Sequence, residues 1–159
     1  MEIIYTDKKI DNESVKQMLA NLFPELMVFY YDFEGDVPRG MDYKNSDHIS
    51  FTTSYNENKL EFVFVISIYR TPEENDEKRA LYIAKTFSDF YEIRSLVPFT
   101  KPDEPKNPTY DIIFQKGKTF LANDSDTNFA DSTEELVKIV GEYPLEEFKF
   151  DKKANYIKP

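Results

Sequence analysis

Apolar residues recur at helical spacing in two segments of the chain, and the first lies near the N-terminus. It follows Asp11 or Asn12, either of which can cap a helix, and it ends before Pro24. The spacing i, i+3, i+4, i+7 and i+8 predicts an amphipathic helix with one face directed towards a core. The stripe consists of Val15, Met18, Leu19, Leu22 and Phe23.

The second helical segment is predicted to begin at a capping box. Thr71 is placed to be the N-cap, Pro72 takes the first helical position, and Glu74 closes the box. We expect this helix to run to about residue 92. Its apolar stripe consists of Ala80, Ile83, Ala84, Phe87 and Tyr91. A second box at 132–135 predicts a short third helix, which Gly141 ends.

Alternation of apolar and polar residues predicts a hairpin in the first half of the chain. It joins strand 48–55 to strand 60–69 through a polar turn at 56–59. In the expected register the apolar faces of the two strands coincide. That register pairs Tyr55 with Leu60, Phe51 with Phe64 and Ile49 with Ile66.

A second hairpin is predicted to join 109–115 to 118–123, and shorter strands are predicted at 2–5, 26–33 and 95–99. The predicted order is β-α-β-β-β-α-(β)-β-β-α, in which hairpins outnumber crossovers. Such an order indicates an α+β fold, with a mainly antiparallel sheet built from two hairpins and helices packed on one face.

The chain is expected to form one domain over residues 1–159, because no internal repeat or convincing linker divides it. Residues 143–159 lack a clear period and are predicted to be an irregular C-terminal tail. Aromatic residues make up 16% of the chain, which indicates a folded core rather than disorder.

The composition removes several classes of enzyme. The chain has no cysteine, one histidine (His48) and four glycines that lie far apart. Thiol nucleophiles, cysteine zinc sites and glycine-rich phosphate loops are therefore absent, and a Ser-His-Asp triad would have to use His48. We expect no catalytic residues and no cofactor.

The charge of the chain bears on the kind of partner it could bind. The net charge is −10, and nine basic residues oppose sixteen acidic ones in residues 1–80, a net of −7. In residues 81–159 eleven basic residues oppose fourteen acidic ones, a net of −3. Nucleic acids and anionic membranes bind clustered Lys and Arg, so neither is expected as a partner. A basic protein is favoured instead.

The N-terminal residues resemble no export signal, since they lack a basic segment followed by a long apolar one. The longest apolar run, at 62–66, is far shorter than the roughly 20 residues that a membrane helix needs. The sequence therefore predicts a cytoplasmic protein.

One polar segment has the oxygen spacing of an EF-hand calcium loop. Counting from Asp124, oxygen-bearing side chains occur at positions 1, 3, 5, 9 and 12. The sixth position of such a loop requires glycine for its sharp turn, and here it is Phe129. We therefore expect no calcium binding. The weak candidate ligands are Asp124, Asp126, Asn128 and Glu135.

An acidic stretch between the second and third strands is the predicted partner-binding site. It has no regular period and combines carboxylates with nearby tyrosines, residues that are enriched in protein interfaces. Its candidate residues are Asp32, Glu34, Asp36, Asp42, Tyr43 and Asp47. Asp47 adjoins His48, but neighbours in a strand point to opposite faces, so a carboxylate–imidazole pair is not expected.

Three hypotheses for function follow. The first is a non-enzymatic binding protein, such as an inhibitor or an immunity-type protein that neutralises a basic partner. The second is a subunit or scaffold domain of a larger assembly. The third, less favoured by the composition, is a small hydrolase or ligand-binding domain that depends on carboxylates.

Overall fold

The protein is built on one large sheet, with helices against one of its faces. The computed structural model describes residues 1–57, 59–125 and 136–159, which contain eight strands and two helices. Along the chain these elements are β1 (Glu2–Thr6), α1 (Asn12–Leu22), β2 (Met27–Tyr30), β3 (His48–Tyr55), β4 (Phe64–Arg70), α2 (Asp76–Tyr91), β5 (Ser95–Pro98), β6 (Tyr110–Gln115), β7 (Lys118–Asn123) and β8 (Lys138–Glu142).

The strands lie in the order β2-β3-β4-β1-β5-β6-β7-β8. The β2–β3 pair is parallel and the other neighbouring pairs are antiparallel. The predicted α+β fold with a mainly antiparallel sheet is therefore confirmed. β1 lies in the interior of the sheet, where it joins β4 to β5.

The main core lies between the sheet and the two helices. Alternate residues of β4, from Phe64 through Ile66 and Ile68, point towards the helices and are at most 1% exposed. Both predicted apolar stripes face this core. Burial of each large apolar side chain stabilises the fold by about 1.5–3 kcal/mol. The fully buried helix residues include Val15, Leu19, Ile83, Ala84 and Phe87.

A smaller core covers part of the opposite sheet face. Phe62, in the connection between β3 and β4, is fully buried there and has a left-handed backbone with φ of 52°. The guanidinium of Arg94 lies 4.9 Å from its ring centroid and forms an ion pair with Glu61 at 3.1 Å. The backbone N–H of Val137 donates to the same Glu61 carboxylate at 2.8 Å. These contacts anchor the connection to the sheet.

The predicted start of the second helix is wrong. α2 begins at Asp76, and its N-cap is Asn75, which has a left-handed backbone and no side-chain capping bond. The Thr71 hydroxyl donates instead to the Tyr43 carbonyl at 2.7 Å. A contact between distant parts of the chain has therefore replaced the local capping box. The predicted end near residue 92 is confirmed.

The predicted register of the first hairpin is wrong by four residues. Tyr55 pairs with Phe64, and Ile49 pairs with Arg70. The connection is longer than expected because Phe62 is buried on the opposite face and cannot continue β4. A shift of four residues is even, so the predicted buried faces of both strands are retained.

The predicted third helix is also wrong over the residues that the structure describes. Residues 138–142 form β8, which pairs with β7 across a bulge at Leu121 and Ala122. The β-branched Ile139 and Val140 favour a strand at this sheet edge. The proposed cap at 132–135 lies outside the described residues.

Residues 143–159 contain one isolated bridge, between Phe150 and Tyr156, and otherwise no helix or strand. They nevertheless contact the core. Phe148 and Ala154 are buried, and the Phe150 ring centroid lies 5.3 Å from that of Tyr82 on α2. The irregular tail therefore covers part of α2.

Candidate functional site

Residues 31–47, which we call the acidic loop, connect the parallel strands β2 and β3. Parallel neighbours cannot be joined by a tight turn, so a long connection is required here. The Asp32 carboxylate accepts a hydrogen bond from the backbone N–H of Glu34 at 3.1 Å. The backbone carbonyl of Asp32 accepts one from the N–H of Gly35 at 2.9 Å. A second turn brings the N–H of Met41 to within 3.1 Å of the Pro38 carbonyl. The loop thus has hydrogen-bonded turns of its own.

Four rings form an aromatic cluster, which we define as Tyr31, Phe33, Tyr43 and Tyr69. Tyr31 contacts both Phe33 and Tyr43, with ring centroids 5.5 and 6.5 Å apart, and Phe33 contacts Tyr69 at 6.5 Å. Phe33 is 67% exposed and Tyr43 is 54% exposed. Partial burial, together with the neighbouring Tyr31, raises the pKa of Tyr43. The cluster therefore presents apolar rings to solvent.

Four of the five predicted acids lie within three residues of Phe33 or Tyr43 along the chain, and none has a cationic partner among the described residues. All are exposed, and none of their carboxylates forms an ion pair with a Lys, Arg or His side chain in the described part of the chain. These acids are Asp32, Glu34, Asp36 and Asp42. Asp47 differs, because it forms an ion pair with Lys153 at 2.9 Å, and that hydrogen bond lowers the pKa of Asp47.

His48 holds the acidic loop in place. Its Nδ1 accepts the backbone N–H of Asp42 at 3.0 Å, and its Nε2 lies 3.2 Å from the Asn45 amide nitrogen. The Phe29 ring centroid lies 5.0 Å from the imidazole. Because the Asp47 carboxylate bonds Lys153, Asp47 and His48 have separate structural roles.

A cavity of about 210 Å³ lies behind Tyr43, at the ends of β3 and β4. The predicted residues Asp42 and Tyr43 line it together with residues that sequence reasoning missed. The most informative of these is Arg70, which follows Phe64, Ile66 and Ile68 on the buried face of β4. A charged residue at a buried-face position was the signal that could have revealed it. Other lining residues include His48, Ser50, Tyr69 and Glu73.

A pair of carboxyl groups lies on the sheet face opposite the helices. Burial, followed by the negative charge of Asp124 and a hydrogen bond with it, raises the pKa of Asp111 to about 8. Burial also raises the pKa of Asp124. Two carboxyl groups this close cannot both ionise easily, so they share a proton. Sequence reasoning considered Asp124 as a calcium ligand and missed Asp111.

Of the predicted calcium ligands, only Asp124 lies within the described residues. Asp126, Asn128 and Glu135 lie outside the described residues. Within the described ranges, no group of three or more His, Asp or Glu side chains is arranged to hold a metal ion. The absence of calcium binding remains a prediction.

No protein-family model, curated protein or solved structure matches the chain. Neither of the two described helices has the length and apolar character needed to cross a membrane.

Proposed function

We propose that the chain is a non-enzymatic protein-binding domain whose acidic loop contacts a basic protein. The observation that carries this proposal is the exposed aromatic cluster, together with four carboxylates of the same loop that form no ion pair with a described residue. Interfaces commonly place aromatic anchors at the centre and polar or charged groups at the rim. Phe33 and Tyr43 are the exposed anchors, and Glu34 and Asp36 are rim charges.

Charge complementarity supports a basic partner. The N-terminal half of the chain carries most of the net negative charge, and the acidic loop holds five acids against two bases. The negative electrostatic field of these acids accelerates association with a cationic protein. Salt weakens this effect because the Debye length is about 8 Å at physiological ionic strength. Lys and Arg side chains of the partner can also bind over the faces of Phe33 and Tyr43.

An inhibitor or immunity-type protein acting in the cytoplasm is the form of this function that we favour. Such a protein needs a complementary surface and no catalytic groups of its own. A subunit of a larger assembly would use the same surface, but its partner would keep full activity in the complex. The hydrolase hypothesis has less support, because His48 and Asp47 are engaged in holding the loop and tail.

The test begins with capture of binding proteins by the full chain and by a charge-reversed variant, Glu34→Lys with Asp36→Lys. Neither carboxylate bonds another described residue, so the reversal should leave the thermal midpoint nearly unchanged. The captured protein is then purified, and its association is followed by stopped-flow at several salt concentrations. We expect the reversal to slow association at low salt by about tenfold or more and to flatten the salt dependence.

The matched control reverses two exposed acids elsewhere, Glu146→Lys with Glu147→Lys, which line a different cavity beside Leu81 and Thr119. This control changes the net charge by the same amount as the loop reversal. It therefore distinguishes an effect of the loop's own charges from an effect of the total charge of the protein. A third variant, Phe33→Ser, should raise the dissociation rate with little effect on association. An acidic partner, or equal slowing by both reversals, would overturn the proposal for this loop.

A further inference from the structure

The cavity behind Tyr43 lies on the sheet face opposite the helices. Ser50 and Tyr69 are register partners in β3 and β4, so their side chains point to the same face. His48 shares that face, because it is two residues from Ser50 in the same strand. The acidic loop is held against this part of the sheet, since the Thr71 hydroxyl donates to the Tyr43 carbonyl at 2.7 Å. The cavity therefore lies between the acidic loop and the outer face of the sheet.

Arg70 also borders the cavity, but its side chain belongs to the other sheet face. It pairs with Ile49, which is fully buried in the core beneath the helices. There its Nη2 donates to the side-chain oxygen of Asn155 at 2.9 Å. The other described lining residues include two acids, Asp42 and Glu73, and no Lys or Arg. The rest of the lining is therefore acidic.

Most carboxylate oxygens of these two acids have no donor within the described part of the chain. Both side chains are exposed, and neither forms an ion pair with a described residue. Oδ1 of Asp42 accepts the backbone N–H of Lys44 at 2.9 Å, and Oδ2 accepts no hydrogen bond from a described residue. Neither carboxylate oxygen of Glu73 accepts one either. Three oxygens are thus available to a donor from another molecule.

Ser50 also indicates a ligand in this cavity. It is 5% exposed and lines the cavity, and its hydroxyl makes no hydrogen bond to a described residue. A buried hydroxyl without a partner is costly, and a ligand that supplies a hydrogen-bonding group removes that cost. Tyr43 and Tyr69 add aromatic rings to the lining, and cations bind over the faces of such rings. Acceptors and rings together favour a cationic ligand.

We propose that this cavity receives an arginine side chain of the basic partner, with the guanidinium bound to Asp42 and Glu73 and close to the Ser50 hydroxyl. A guanidinium is planar, carries five N–H donors and stacks on aromatic rings, whereas an ammonium has three donors and is more strongly hydrated. The cavity volume of about 210 Å³ is several times the roughly 30 Å³ share of one water, so a guanidinium fits. This site rests on the proposed function, because the arginine belongs to the basic partner.

The test is an NMR titration of the full, isotope-labelled chain with short peptides at low ionic strength. The peptides are acetyl-Gly-Arg-Gly-amide, the same peptide with lysine, and the same peptide with citrulline, which keeps the shape of arginine without its charge. We expect the arginine peptide to bind about fivefold more tightly than the lysine peptide and about tenfold more tightly than the citrulline peptide. The amide signals of Tyr43, Ser50 and Thr71 should shift in the same titration.

Asp42→Asn and Glu73→Gln should each weaken binding of the arginine peptide by about fivefold, because each removes a charge from the lining. Asp32→Asn is the matched control and should leave this binding unchanged. Asp32 is exposed in the same loop and accepts the backbone N–H two residues later, as Asp42 does, but it does not line the cavity. Ser50→Ala should weaken binding severalfold, because it removes the buried hydroxyl.

Equal binding of the three peptides, no binding, or an equal effect of Asp32→Asn and Asp42→Asn would overturn the arginine site. The proposed protein-binding function would stand in that case, because its test reverses Glu34 and Asp36, which do not line the cavity. Capture of an acidic partner would overturn both proposals, whatever the peptides show.

Discussion

The carboxyl groups of Asp111 and Asp124 are hydrogen-bonded to each other at the β6–β7 hairpin. Asp111 lies within β6 opposite Ala122, and Asp124 follows β7 with its backbone bonded to Thr109. Since Asp111 is 1% exposed, water cannot relieve the repulsion that two ionised groups would experience. The pair therefore holds a proton at a pH where isolated carboxyl groups have lost theirs.

Asp111→Asn should make stability less dependent on pH. In the unfolded chain Asp111 ionises near pH 4, whereas in the folded protein its pKa is about 8. Between these values the folded state binds more protons, so the wild-type stability falls as pH rises, by at most about 1.4 kcal/mol per pH unit. The loss of stability is complete once the pH exceeds the pKa of Asp111 in the folded protein.

The measurement is urea denaturation of the wild type and Asp111→Asn at pH 5, 6, 7 and 8. The difference between the two free energies of unfolding should shift in favour of the variant as pH rises. Asp36→Asn, at an exposed site that forms no ion pair with another described residue, should follow the wild-type curve. Parallel curves for Asp111→Asn and the wild type would mean that the carboxyl pair shares no proton.

Glu92→Gly should stabilise α2. Glu92 is the C-cap and has a left-handed backbone with φ of 53°, a conformation that costs a residue with a Cβ about 1–2 kcal/mol. Glycine adopts it freely, so the free energy of unfolding should rise by about 1 kcal/mol. Asp89→Gly, within the exposed face of the same helix, should lower it by about 1 kcal/mol. A loss of stability with both variants would refute the assigned cap.

Phe64→Ala and Leu60→Ala distinguish the observed hairpin register from the predicted one. Phe64 is 1% exposed, so its truncation should cost about 3–5 kcal/mol. Leu60 is 65% exposed and lies before β4, so its truncation should change the free energy of unfolding by less than about 0.5 kcal/mol. Comparable losses for the two variants in chemical denaturation would instead support pairing of Leu60 with Tyr55.

Thr71→Ala should loosen the acidic loop and leave α2 intact. The variant removes the hydroxyl that donates to the Tyr43 carbonyl, at a cost of about 1 kcal/mol. Hydrogen exchange should accelerate at the Asp42 amide, which bonds His48, and should stay unchanged at the first amides of α2. Faster exchange confined to residues 76–80 would show that Thr71 caps the helix after all.

The buried faces of the strands could be predicted from sequence because their period is two, and a buried face is recognisable without knowledge of its neighbour. The register could not be predicted in the same way. Phe62 alternates correctly with Phe64 and Ile66, but it turns to the opposite sheet face through a left-handed backbone. The cluster that holds it includes Leu96 and Ile113, which lie far along the chain. Phe62 could either continue β4 or join this cluster, and only the assembled sheet shows that the cluster is preferred.

The candidate site was predictable to a similar degree. The acidic loop was recognisable from its composition, and Asp42 and Tyr43 do line a cavity. Arg70 was missed because it lies far along the chain from the loop, at the end of β4. The predicted register places Ile66 opposite Ile49, whereas the observed register places Arg70 there, next to the end of the loop.

The interior position of β1 has a consequence for how the fold assembles. Residues 2–6 pair with residues 64–68 on one side and 95–96 on the other, so both contacts close long loops. Until β1 inserts, β4 and β5 present open edges that can pair with other chains. Folding should therefore be slow for a protein of this size. A chain without β1 would be a receptor for a synthetic peptide of that sequence, which could complete the sheet by strand donation.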